Sequence, residues 1–307
     1  MGYIAGIGGA NMDVHGRSDR ALVMRDSNPG TLHMSMGGVC RNICENLARL
    51  KHDVRLCTVL GNDVNGRTIM EGCMACGIDM SHTKMLDGER TSSYISLMDE
   101  AGDMLLAMSD MHIIKRLDER LVDDVLEVLL GADLVVCDGN LSGRTLERLT
   151  SACDRPLYLD PVSTAWAKEL APWIGFFDTV KPNRMELEAL SGCPCDTKEH
   201  LTLACDILRG KGVRRVFVSL GSEGMFYRGP EGTIERKNRK PLKMVNATGA
   251  GDAAMAGIIH ADLLGRDAEG AVYSAMAAGM IAVMSEDTIS GGMNPDAVEN
   301  TIKEYIL

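Results

Sequence analysis

The sequence predicts an α/β fold, with a mostly parallel central sheet, helices on both faces and a small β-sheet lid. Three observations carry this reading. Short β-branched runs alternate with helical patterns along most of the 307 residues, as they do where strands are joined by crossover helices. The strand runs are continuously apolar, as strands buried on both faces are. Two stretches, about 14–36 and 91–111, break the rhythm with hairpin-like patterns and predict a separate sheet. No long linker and no internal repeat interrupts the chain, so residues 1–307 read as one domain carrying that lid.

Taken in order, residues 3–8 form a short apolar run ending in glycines, suited to a buried strand. Residues 38–51 have helical spacing, with Val39, Ile43, Leu47 and Leu50 on one face. Residues 54–60 are β-rich, and Asp63 can cap a helix running to about residue 76. Residues 91–98 and 104–109 flank the turn Asp99-Glu100-Ala101-Gly102-Asp103. Then come a helix over 121–130, a strand over 134–137, a helix over 145–152 and strands over 157–159 and 177–180. One helix follows Asn183, another opens at Asp196 and Glu199, and residues 216–220 are again β-rich. Three helices follow from Gly251 onward, broken near Gly265 and around 289–295.

The formal charge of −11 disfavours a nucleic-acid polymer as partner, because such a surface repels phosphate backbones. A small anion in one local pocket stays compatible with it. The 21 methionines against 4% aromatics read as core filling. No export or membrane signal is visible, and ten cysteines without a leader predict reduced thiols in a cytoplasmic protein. Cys73 and Cys76 form a C-x-x-C without a second pair at zinc spacing, so they read as structural. The sequons at Asn140 and Asn246 carry no meaning in that compartment.

The most specific segment is Asn246-Ala247-Thr248-Gly249-Ala250-Gly251-Asp252. Its glycines remove side chains where a helix begins, leaving backbone N–H groups free for an anion, with Asp252 placed as a base. A glycine turn capped by Asp252 is the alternative. In Lys181-Pro182-Asn183-Arg184-Met185-Glu186, Asn183 and Glu186 share one helical face and could place Mg²⁺, or they could simply form a capping box. Ser219-Leu220-Gly221-Ser222-Glu223-Gly224 leaves a strand in a glycine turn able to approach a nucleotide. At the other end, Asn11 and Asp13 follow Gly8-Gly9, and Gly37-Gly38 opens a helix with Asn42 one turn in. Amide and carboxylate groups of this kind suit a polyhydroxyl ligand. A P-loop is absent, Gly6-x-Gly8-x-x-Asn11 lacks the third glycine of a dinucleotide fingerprint, and no Ser/His/Asp spacing supports a hydrolase.

These pieces, in this order, resemble the ribokinase-like carbohydrate and nucleoside kinases, the PfkB family, nearly end to end. Gly61-Asn62-Asp63-Val64-Asn65-Gly66 adds to the match. Within the family, Gly9-Ala10-Asn11-Met12-Asp13, Ser27-Asn28-Pro29-Gly30, Gly37-Gly38-Val39-Cys40-Arg41-Asn42 and Asp138-Gly139-Asn140-Leu141-Ser142 are most similar to the pseudouridine-kinase branch. The resemblance implies a ribokinase-like three-layer fold and ATP-dependent phosphorylation of the 5′-hydroxyl of pseudouridine. It implies Asp252 as base and the N–H groups of Gly249, Ala250 and Gly251 as the anion hole. Asn11, Asp13, Gly38, Asn42 and Asn140 would hold the nucleoside; Asn183, Ser219, Gly221 and Gly224 the ATP; Glu186 the Mg²⁺. It further implies a lid that closes over substrate and a homodimer formed through that lid. Many relatives carry Asp where Asn246 stands, at a K⁺ site, so potassium activation is where this chain departs. A kinase for another sugar or a purine nucleoside, and a catalytically silent nucleoside sensor, are the alternatives.

Overall fold

A computed structural model describes residues 2–101, 103–242 and 244–307. Gly102, in the expected turn, Met1 and Lys243 lie outside them. The strands are β1 (Ile4–Ile7), β2 (Asn11–Ser18), β3 (Gly30–Gly37), β4 (Val54–Cys57), β5 (Val59–Gly61), β6 (Ile78–Asp79), β7 (Lys84–Leu86), β8 (Ser93–Met98), β9 (Met104–Asp110), β10 (Leu134–Asp138), β11 (Leu157–Asp160), β12 (Thr179–Val180), β13 (Arg215–Ser219), β14 (Met225–Gly229) and β15 (Gly232–Arg236). The main sheet has the order β15-β14-β13-β12-β11-β10-β1-β4-β6. Its pairs from β13 to β6 are parallel, and β14 and β15 add an antiparallel edge. Strand order reverses between β1 and β10. In open α/β sheets that switch point opens a crevice at the carboxyl ends of the strands.

The apolar strands bury both faces. On one side they pack against the helices Val39–Arg49, Ala250–Leu263 and Ala268–Val283; on the other against Gly143–Ala152, Arg184–Ser191 and Lys198–Gly210. The helix Ala250–Leu263 is buried all round from Asp252 to Ala261. Its small residues permit this: a Cβ on Gly257 would lie 2.5 Å from the Ser274 carbonyl oxygen of the neighbouring helix. At its far end, Asp262 accepts hydrogen bonds from Arg215 Nη1 (2.7 Å), Arg215 Nη2 (2.6 Å) and the Tyr158 hydroxyl (2.8 Å). The helix is therefore pinned to β11 and β13. All ten cysteines are free, nine of them buried and Cys76 half-buried.

The lid is a four-stranded sheet of order β3-β2-β8-β9, antiparallel except for the parallel pair β2–β8. It begins at Asn11, so Asn11 and Asp13 belong to the root of the lid and not to the end of β1. The run over 54–60 divides at Thr58, whose hydroxyl donates to the Gly8 carbonyl (2.7 Å), and β5 pairs with β7 in a sheet of its own. The helix expected over 121–130 breaks at Val125 into Glu119–Asp124 and Leu126–Gly131. Thr197, rather than Asp196, caps Lys198–Gly210 by accepting the His200 N–H. The β14–β15 hairpin was not anticipated, although Gly229-Pro230-Glu231-Gly232 is a turn signal. No described helix is long and apolar enough to cross a membrane.

Candidate active site

Every sequence-derived site residue lies at or beside the carboxyl ends of the parallel strands. The helix Ala250–Leu263 starts there with Gly249 at φ 80, a conformation that suits glycine. A Cβ at Gly249 would lie 2.2 Å from the Thr288 carbonyl oxygen, so space and backbone both require glycine. The Ala253 N–H donates to the Gly249 carbonyl, which leaves the N–H groups of Ala250, Gly251 and Asp252 without an intrahelical acceptor. Those donors and the helix dipole favour negative charge in front of them. The approach to them is bounded by Asn246, whose Oδ1 accepts the Thr248 N–H (2.9 Å) and whose Nδ2 donates to the Glu286 carbonyl (3.1 Å).

Asp252, 8% exposed, accepts a hydrogen bond from Asn42 Nδ2 at 2.7 Å. Burial, reinforced by the nearby Asp160 carboxylate, pushes its carboxyl up to about 7; Asn42, Lys181 and Arg41 oppose the shift. A carboxyl poised near neutrality can take a proton and release it. Lys181 Nζ pairs with Asp160 Oδ2 at 3.0 Å. A Cβ on Gly251 would lie 3.3 Å from that amine, which puts Lys181 directly beneath the start of the helix. Burial alone would lower the Lys181 ammonium, but Asp160, Glu186 and Asp252 outweigh it and hold it above its ordinary value.

Asn183 and Glu186 form a full capping box: Asn183 Oδ1 accepts the Glu186 N–H (2.9 Å) and Glu186 Oε2 accepts the Asn183 N–H (2.8 Å). The Asn183 oxygen is thereby committed to the helix start. Glu186 Oε1 receives no hydrogen bond from the described residues, and burial together with Asp160 holds this carboxyl above its usual range. Asn183 bridges to Ser219 across the ends of β12 and β13. The turn with Gly221 (φ 61) and Gly224 (φ 99) therefore leaves β13 next to Asn183.

Asn11, Asp13, Gly38 and Asn140 gather at the Gly8-Gly9 turn, and Asn42 links that group to Asp252. Asn11 Nδ2 donates to Asp13 Oδ1 at 2.6 Å, and burial raises the Asp13 carboxyl. Asp138, fully buried, accepts the N–H groups of Gly9 (3.0 Å) and Cys40 (3.0 Å) on Oδ2 and that of Asn140 (3.1 Å) on Oδ1. It thus clamps the Gly8-Gly9 turn to the start of Val39–Arg49. Gly38 (φ 100) passes so close that a Cβ would lie 2.5 Å from the Gly9 carbonyl oxygen. Asn140 borders the same turn, its Nδ2 2.8 Å from where a Gly9 Cβ would stand. The sequence reading passed over Asp160 and gave no role to Asp138, Lys181 and Arg41, although these three stand within its motifs. A lone Asp ending a buried apolar strand, as in β10 and β11, was the signal for Asp138 and Asp160.

The model of the pfkB family of carbohydrate kinases matches residues 1–296. The chain belongs to the pfkB family. Like its relatives, this pfkB kinase is a phosphotransferase acting on a sugar or nucleoside hydroxyl. It is 34% identical to the pseudouridine kinase of Escherichia coli K12, over 98% of this chain and 95% of that one. It is 27% identical to a guanosine-inosine kinase of Exiguobacterium acetylicum, over 97% of this chain and 99% of that one. The Arabidopsis thaliana ribokinase, solved with ribose and ATP, has the same fold, with TM-score 0.87 at 22% identity and coverage of 98% and 99%. The ribokinase-like architecture expected from the motifs is therefore the one this pfkB kinase adopts.

Proposed function

We propose that the protein transfers the γ-phosphoryl group of ATP to the 5′-hydroxyl of pseudouridine. The observation that carries the chemistry is the buried Asp252 in the first turn of a helix whose leading N–H groups have no intrahelical acceptor. Asp252 accepts the hydroxyl proton as the oxygen attacks. The N–H groups of Gly249, Ala250 and Gly251 stabilise charge on the transferring phosphoryl group, and Lys181 adds positive charge beneath them. Asn11, Asp13, Gly38, Asn42 and Asn140 orient the nucleoside, and the Ser219–Gly224 turn with Asn183 receives the nucleotide. The A. thaliana ribokinase supports ATP as donor on this fold. The similarity to pseudouridine kinase along nearly the whole chain supports the acceptor.

The residues fit Mg²⁺ bound in the manner that ion prefers, through one or two carboxylates plus water and phosphate. Glu186, with Oε1 unclaimed among the described residues, would hold it, and the ion would neutralise charge on the phosphates. Glu186→Gln preserves the cap yet weakens a metal contact. We expect the Mg²⁺ concentration for half-maximal activity to rise about tenfold. An unchanged titration would leave Glu186 with the capping role alone. Where many relatives carry a carboxylate, Asn246 places a neutral amide engaged by Thr248 and Glu286.

The protein is further proposed to pair through its lid. Leu32, Met34, Ile95, Leu97, Leu106 and Met108 lie on one face of that sheet, each at least 40% exposed, and an apolar face of this extent asks for a partner. The function is tested by coupled ADP release over pseudouridine, uridine, guanosine, inosine, adenosine and ribose. Pseudouridine is expected to give the highest kcat/KM. Preference for guanosine or inosine would move the protein toward the guanosine-inosine kinase, and no turnover with any of them would favour a silent sensor.

A further inference from the structure

Arg41 is the bulkiest of the fully buried side chains, at 1% exposure. A guanidinium so deep is tolerated only when its donors are paired. Nε donates to the Gly37 carbonyl at 3.0 Å and Nη2 to the Met36 carbonyl at 2.9 Å. Nη1 pairs with Glu45 Oε2 at 2.5 Å, and Nη2 also donates to Asn42 Oδ1. The last contact decides which way the Asn42 amide points. With Oδ1 held by Arg41, Nδ2 is the end presented to Asp252 Oδ2, 2.7 Å away. A reversed amide would set an acceptor against that carboxylate and a donor against the guanidinium. Met36 and Gly37 end the lid strand β3, and Gly37 pairs with Asn11. One side chain thus touches the lid root, the Asn42 amide and, through it, the Asp252 carboxylate.

We infer that Arg41 is a positioning residue: it fixes the Asn42 amide and thereby the Asp252 carboxylate, and it ties both to the root of the lid. This rests on the reading of Asp252 as the base. The competing role is a simple ion pair with Glu45, which also binds Arg49 at 2.7 Å. Removing Arg41 alone would leave Glu45 short of a partner, so the informative variant is Arg41→Met with Glu45→Gln. It should fold, and kcat should fall at least about tenfold while KM for the nucleoside changes less than about threefold. In an Asn42→Ala background the same two changes should lower kcat by less than about twofold more, because their effect runs through Asn42. Arg41→Lys, which keeps the charge but loses the fork, should show a smaller loss of kcat at near-normal thermal stability. An unaltered kcat in these variants, or a full loss repeated in the Asn42→Ala background, would overturn the inference. Asp252→Asn run alongside separates the two readings. Wild-type turnover there removes the base, and this inference with it. Loss there with normal turnover of the Arg41 variants removes this inference alone.

Discussion

Replacing Asp252 with Asn is expected to lower kcat by about 10²–10⁴-fold, the range for loss of a general base, with nucleoside and ATP still bound. The amide keeps the size of the side chain and can still accept from Asn42 Nδ2. In the free enzyme the carboxyl sits at about 7, so wild-type kcat/KM should climb as the pH rises through neutrality and level off above it. The same group has an opposite consequence for stability. Its folded-state value lies above the ordinary 3.8, so the folded protein binds this proton more tightly than the unfolded chain does. The stability it contributes is complete below about 4 and is lost as pH rises through about 7. Asp252→Asn should therefore gain thermal stability relative to wild type on going from about pH 5 to about pH 8. Wild-type turnover in the variant would reduce Asp252 to a buried partner of Asn42, since its side chain makes no capping hydrogen bond.

Pseudouridine is expected to be preferred over uridine by up to roughly 10⁴-fold in kcat/KM, because the two differ in a hydrogen-bond donor rather than in bulk. The carbon–carbon link to ribose leaves the pseudouridine base an extra N–H. A pocket built to accept from it would strand a buried acceptor when uridine binds. The lid carries suitable groups. The face of β2 that holds Asn11 and Asp13 continues to His15, whose Nδ1 lies 2.6 Å from Ser96 Oγ on β8. Free ribose lacks the base and every lid contact the base recruits. Competition among the three at equal concentration measures the preference. A win for ribose or adenosine would overturn the substrate while leaving Asp252 as base.

The fold was legible wherever periodicity was strong. The main parallel strands and the three final helices stand close to where their apolar runs place them, because burial on both faces writes an uninterrupted pattern. The divisions at Thr58 and Val125 were not legible. Thr58 falls inside an apolar run and its break depends on a tertiary contact, its hydroxyl on Gly8, while Val125 stands within a continuous helical pattern. The site was legible through its glycines and helix starts, which have local sequence signatures. Asp138 and Asp160 left only the mark of a lone Asp ending an apolar strand, and Arg41 left none, since its side chain is normally found in solvent. Asn183 and Glu186 show that two readings can both apply: the capping box forms, and it leaves one Glu186 oxygen open.

The distribution of the thiols makes the protein its own reporter of opening. Burial pushes Cys57 and Cys73 up to about 12 and Cys195 up to about 11, and raises Cys137 and Cys205 as well. Such thiols are neither ionised nor reachable while the sheet and its helices stay together. An alkylating or disulfide reagent should therefore modify Cys76 first and then reach the others only at the rate at which the core separates. Cys137 on β10 and Cys205 on the helix Lys198–Gly210 are well placed as probes of that second phase. Mass-resolved labelling with time should show one fast addition followed by slow, concerted ones. Steady, graded labelling of all ten would mean that the core opens piece by piece.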